Sequence, residues 1–214
     1  MDKPEFPAAR VAAIALALLL QTPVLAQTVD CVVAVVNGRA ITLVDLKIAK
    51  RFGLFPAPAE SGPSSVILDE LIGRKLVISL AREQAPIEGA DIDAAMKELS
   101  MRMGPDDMAG GLKEFGLEEA DLRPYVEEAL LYEKIIAARF GQAAPVTLGE
   151  IEAYYRDEYS PAQKLAGKEP SPMVQALSLI EARLHDQKKK AAIEAWTKSL
   201  KTQADIRINK GCLE

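Results

Sequence analysis

Histidine, cysteine and tryptophan are nearly missing from this sequence of 214 residues, which holds one His, two Cys and one Trp, with aromatic residues at 5%. The single His185 stands without a neighbouring nucleophile or further ligands, so neither a catalytic triad nor a histidine-rich metal site can be assembled around it. Positive charge is not in excess either. Lys and Arg number 26 against 31 Asp and Glu, a formal net charge of -5. That balance argues against nucleic acid, whose phosphates demand a basic surface. No zinc, P-loop, dinucleotide or serine-hydrolase motif is present. No catalytic residue, no metal and no cofactor is therefore expected, and no nucleotide motif supports energy coupling.

Long apolar runs are confined to the start of the chain. Arg10 precedes Val11 to Leu20, and Val24-Leu25-Ala26 offers small residues where a signal peptidase cuts. Residues 1–26 are read as a secretory signal cleaved after Ala26. A retained anchor is the alternative, although the run falls short of the ~20 residues that cross a bilayer. The removed segment carries Asp2 and Glu5 against Lys3 and Arg10, so the charge of the mature form is unchanged. No membrane span is expected after it.

What is present is mostly helical periodicity. Val32 to Val36 and Ala40 to Thr42 flank Asn37-Gly38, the signature of a tight hairpin turn. Thr42 and Asp45 then form a capping pair for a helix to about Phe52. "FPAPAESGPSS" is a connector. Val66 to Glu83 spaces Ile67, Leu68, Leu71, Ile72, Leu76, Val77 and Leu80 by three and four, a central core helix. Helices follow over Ala90 to Met103, up to Phe115, and over Glu118 to Phe140, the last with a conflict at Pro124 that predicts a kink or a separate first turn ending near Arg123. Thr147 and Glu150 cap a helix to Tyr159. Ser160 to Pro172 reads as a linker, Met173 to Thr202 as a long helix anchored by Trp196, and Ala204 to Asn209 as a short strand.

A strand at each end of the chain calls for one pairing, because buried backbone donors and acceptors left unpaired are costly. An antiparallel register places Val35 or Val36 opposite Ile206 or Ile208 and brings Cys31 near Cys212. A Cys31–Cys212 disulfide is predicted, the alternative being two separate thiols. The fold class is thus mostly α, a multi-helix bundle with a small antiparallel β element formed by the N-terminal hairpin and the C-terminal strand.

The order of elements resembles a known family. "VVAVVNGRAITLVDL", "ILDELIGRKLVISLAREQ", "FGLEEADLRPYVEEALLYEKIIAARF" and "VTLGEIEAYYRDEY" resemble the N-terminal module of SurA and PrsA type periplasmic chaperones and peptidyl-prolyl isomerases; the match runs over roughly Val32 to Tyr159, giving a module of residues 27–159 that 173–214 completes. In that family the "EIEAYY" helix normally leads into parvulin domains. Here residues 160–172 stand in that place, too few for a domain. The resemblance implies a periplasmic, ATP-independent protein that binds unfolded or extended exported polypeptides, typically outer-membrane proteins, without isomerase activity. The alternatives are an envelope-assembly adaptor for one defined partner and a residual peptidyl-prolyl isomerase.

A binding surface for such clients would be soft and apolar. Met96, Met101, Met103 and Met108, four of the five methionines after Met1, cluster beside Gly104-Pro105 and Gly110-Gly111. With Leu112 and Phe115 they form the candidate peptide-binding patch, the plainer reading being ordinary core packing. The carboxylates Asp91, Asp93, Asp106, Asp107, Glu118, Glu119 and Asp121 sit at helix starts, where capping already employs them. Lys188-Lys189-Lys190 reads as a solvated face, or as an attractor of acidic clients or anionic lipid. Completion of the module from distant chain ends also allows a homodimer by terminal exchange.

Overall fold

A computed structural model describes residues 30–54, 64–81, 86–142 and 145–213. The expected signal and its cleavage point lie outside these residues, as does most of the connector after Leu54.

The first and last described segments build one sheet in the order β2-β1-β3, with β1 (Val32–Val36), β2 (Arg39–Thr42) and β3 (Ile206–Ile208) all antiparallel. Asn37 and Gly38 take φ of 48° and 80°, the left-handed values that a two-residue hairpin needs. Val36 faces Ile206 and Ala34 faces Ile208. The turn itself grips the returning tail, for Asn37 N donates to Asp205 O at 2.9 Å and Asp205 N donates to Asn37 Oδ1 at 3.0 Å. Cys31 and Cys212 are disulfide-bonded across 181 positions of sequence, as the register requires. The final strand is shorter than the run from Ala204 to Asn209, because a 3-10 turn over Lys210–Cys212 carries the chain to the bridge.

Helix α1 (Leu43–Arg51) begins without a loop: Thr42 ends β2 and caps the helix, with Thr42 Oγ1 and the Asp45 carboxylate satisfying each other's backbone donors. Then come α2 (Ser64–Ala81), α3 (Gly89–Met103), α4 (Pro105–Phe115) and α5 (Glu119–Phe140). Gly104 at φ 80° and Pro105 at the first turn of α4 make the α3–α4 corner. Helix α5 runs as one element through Pro124, so no separate first turn ends near Arg123. The proline lies in the second turn on an exposed face, where its missing N–H leaves only the Ala120 carbonyl without its helical donor.

A second departure follows Thr147. Helix α6 (Leu148–Tyr154) passes into a π-helical turn over Tyr155–Tyr159 and on into α7 (Ser160–Leu165), where composition predicts a linker. Ser160 N donates to Tyr155 O, five residues back. This wider pairing shifts the ladder just ahead of Pro161, so the helix passes a residue that has no donor to give. Helix α8 (Met173–Gln203) then returns along the bundle to β3.

Among the described residues four apolar clusters follow this order. The sheet, α1 and α2 share Val33, Ile41, Leu46, Ile67 and Leu68. A second cluster joins α1, α3, α4 and α5 through Ile48, Phe52, Met96, Leu99, Met108 and Leu122. A third joins α2, α5 and α8, with Trp196 packed on it, 5.5 Å from the Phe140 ring and under the Arg139 guanidinium at 4.5 Å. Trp196 is thus an anchor of the last helix. The fourth joins α6 and α8 through Ile151, Tyr154 and Ile180.

Candidate functional site

The methionine-rich corner divides on folding into core and surface. Met96 and Met108 are 4% and 5% exposed. They belong to the second cluster, so they are not free for a client to touch; they face Ile48, Phe52 and Leu122 because α3 and α4 have no other apolar face to bury. Leu112 is half-buried against the same cluster. Met103 and Phe115 are half-buried at its edge, and Met101 is 68% exposed on the far side of α3.

Met103 and Phe115 help to line an open groove of about 730 Å³. One wall is α1 and the residues after it, with Lys47, Lys50, Arg51, Phe52 and Gly53; the other is the α3–α4 corner, with Arg102, Met103, Asp107, Glu114 and Phe115. The fold explains how each is set. The Phe52 ring lies against Gly111, where an added Cβ would meet ring carbons at 3.0 and 3.1 Å, so the glycine that weakens α4 in isolation is what lets the helix close on Phe52. Arg51 Nη2 donates to Asp107 O at 2.9 Å and Asp107 Oδ1 at 3.2 Å, and its Nε lies 3.5 Å from Glu114. Arg102 Nη2 donates to the carbonyls of Phe52 and Gly53 at 3.0 and 3.2 Å, tying the end of α3 to the end of α1. The groove is therefore apolar at Met103 and Phe115 and charged at its rim, less uniformly apolar than the soft surface expected for such clients.

Met101 lines a second depression of about 470 Å³ between α3 and α5, bridged by the 2.6 Å pair of Arg123 and Asp93. A third groove, of about 660 Å³, lies between α2, α5 and α8. Arg74 is its buried polar centre: it donates to Leu54 O at 3.1 Å, pairs with Glu70 at 3.3 Å and stacks 4.4 Å from the Tyr132 ring. Burial raises the Tyr132 hydroxyl's pKa above its ordinary value, partly opposed by Arg74. Sequence reading passes over this arginine, since nothing in "ELIGRKLV" marks it as inward-facing.

The other candidates have structural work. Asp121 and Glu118 cap α5 reciprocally, Asp93 and Asp107 hold arginines, and Asp91 and Asp106 sit in first turns. Lys188 is not simply solvated: its Nζ reaches Pro145 O at 2.8 Å and Glu150 at 2.8 Å, and this contact, ahead of the Thr147 backbone, lowers the Glu150 pKa to about 2. His185 Nε2 is 3.9 Å from Glu181 on its own helix. Among the described residues no three His, Cys, Asp or Glu side chains converge as metal ligands, and no helix is long and apolar enough to cross a membrane.

No protein-family model matches the chain. The chain is 26% identical over 179 residues to Chaperone SurA of Chromohalobacter salexigens, an alignment covering 75% of this chain and 41% of that relative. This similarity supports a relationship to SurA-like chaperones. The chain spans less than half the length of the curated relative that it matches.

Proposed function

We propose that this chain is an exported, periplasmic, ATP-independent chaperone-like module that binds unfolded or extended polypeptides and has no prolyl isomerase activity. The observation that carries this reading is the open groove of about 730 Å³ between α1 and the α3–α4 corner, whose accessible apolar surface is the half-buried Met103 and Phe115, seated on the buried Phe52. An aromatic ring and a thioether give such a surface tolerance for varied side chains. The similarity to a chaperone points the same way, and outer-membrane proteins are the client class that the resemblance implies. The experiment is suppression of aggregation: at modest molar excess the chain protects several unrelated unfolded clients, and protection of none would end the reading.

A second reading, an envelope-assembly adaptor for one partner, draws on a different surface. Leu165 and Val174, at the end of α7 and the start of α8, are 91% and 81% exposed. Such a protein would protect no general client and would co-purify with a single protein. An isomerase would accelerate cis-to-trans conversion in a proline tetrapeptide; the chain is expected to leave that rate at its buffer value.

A further inference from the structure

We propose that the groove between α1 and the α3–α4 corner selects extended polypeptide segments in which a carboxylate side chain lies close to an apolar one, with Lys47 and Lys50 as the residues that read the acidic group. The inference rests on the polypeptide-binding reading and adds a charge preference to it.

The charges of the groove are unequal in their partners. Its two carboxylates, Asp107 and Glu114, are both turned onto Arg51. Arg102 is fixed by the carbonyls of Phe52 and Gly53, which hold the guanidinium in place without neutralising it. Lys47 and Lys50 are exposed, and neither has an ion-pair partner among the described residues. Residues three apart on a helix share a face, so these two ammonium groups stand side by side along the groove's rim.

The groove is thus electropositive on a chain whose net charge is -5. Such a contrast repels an acidic guest from the remainder of the surface and draws it to this wall. A polyanion such as nucleic acid is disfavoured, because each additional phosphate meets a net negative molecule while the groove accepts only one or two charges. The guest that fits is a chain with an isolated Asp or Glu flanked by an apolar side chain for Met103 and Phe115. Each exposed ion pair adds about two- to fivefold in affinity, so contact with both lysines gives about tenfold.

Fluorescence anisotropy on the full chain tests this with labelled peptides of identical apolar residues that differ only in Glu, Gln or Lys at the flanking positions. The Glu peptide is expected to bind about tenfold tighter than the Gln peptide, the Lys peptide to bind weakest, and the Glu advantage to shrink with added salt. Lys47→Gln with Lys50→Gln brings the Glu and Gln peptides to the same affinity, and Lys47→Glu with Lys50→Glu reverses the order; Lys189→Gln, on α8, leaves it intact. Equal binding of the Glu and Gln peptides by the unaltered chain overturns the charge preference while leaving the client reading standing. Binding of no peptide overturns both, and tighter binding of a single-stranded oligonucleotide than of any peptide overturns the assignment of a polypeptide guest.

Discussion

The Tyr125 hydroxyl of α5 donates to Asp45 Oδ1 at 2.9 Å, while Asp45 Oδ2 accepts from Thr42 N at 2.9 Å. One carboxylate therefore caps α1 and fastens it to a helix 80 positions away. Removing the hydroxyl by Tyr125→Phe is expected to cost about 1.5 kcal/mol, the low end of the range for a hydrogen bond to a charged group, because the contact is only partly buried. Asp45→Ala, which also strips the cap, costs about 2–3 kcal/mol. Urea unfolding at neutral pH measures both, and a Tyr125→Phe variant as stable as the parent would show that the contact adds nothing.

The Cys31–Cys212 bridge closes nearly the whole described chain into a loop. In the chain-entropy account a closure of this length stabilises by at most about 5 kcal/mol. Paired Cys31→Ser and Cys212→Ser substitutions, or reductant, are expected to lower Tm markedly. Intact-mass measurement of the non-reduced protein after alkylation checks the bond itself: two alkylated thiols would refute it.

Gly73 lets α2 and α8 pack tightly: an added Cβ there would sit 2.6 Å from Thr197 Cγ2. Gly73→Ala is expected to destabilise by about 1 kcal/mol, the overpacking exceeding the gain in helix propensity. With Thr197→Ser, which deletes that methyl, the same alanine becomes neutral or stabilising by up to about 1 kcal/mol. Additivity of the two substitutions in thermal unfolding would mean that the helices do not meet there.

Glu150 has its pKa lowered from an ordinary 4.5 to about 2 by hydrogen bonds from Lys188 and Thr147. Because the folded value is the lower one, the interaction's contribution is complete above about 4.5 and is lost as the pH falls toward 2. Lys188→Ala is expected to return the Glu150 titration toward 4.5 and to remove this part of the acid sensitivity. Carboxyl NMR resolves the shift directly, and an unmoved titration would assign the effect to the cap alone.

Local signals made much of this architecture legible. Thr42 with Asp45 and Thr147 with Glu150 are capping pairs written in adjacent residues, and Asn37-Gly38 dictates its own turn. The closure was readable too, since the lone C-terminal strand had only the N-terminal hairpin to pair with. The continuation of α6 through Ser160 and Pro161 was not, because composition predicts the break while the π-helical turn that circumvents it is a matter of backbone pairing. Nor does spacing separate Met96 and Met108, which are buried, from Met101, which is exposed; the partners that decide it come from α1 and α5. The groove's rim is equally non-local, since Arg51 and Arg102 find their partners 56 and 50 positions away.

Thr42 belongs at once to the last rung of the sheet and to the first of α1. A joint of one residue has no slack, so any tilt of the sheet turns the helix with it. Lys47, Lys50 and Arg51 ride on that helix, which makes the latch between the chain's extremities and the rim of the groove two ends of a single lever.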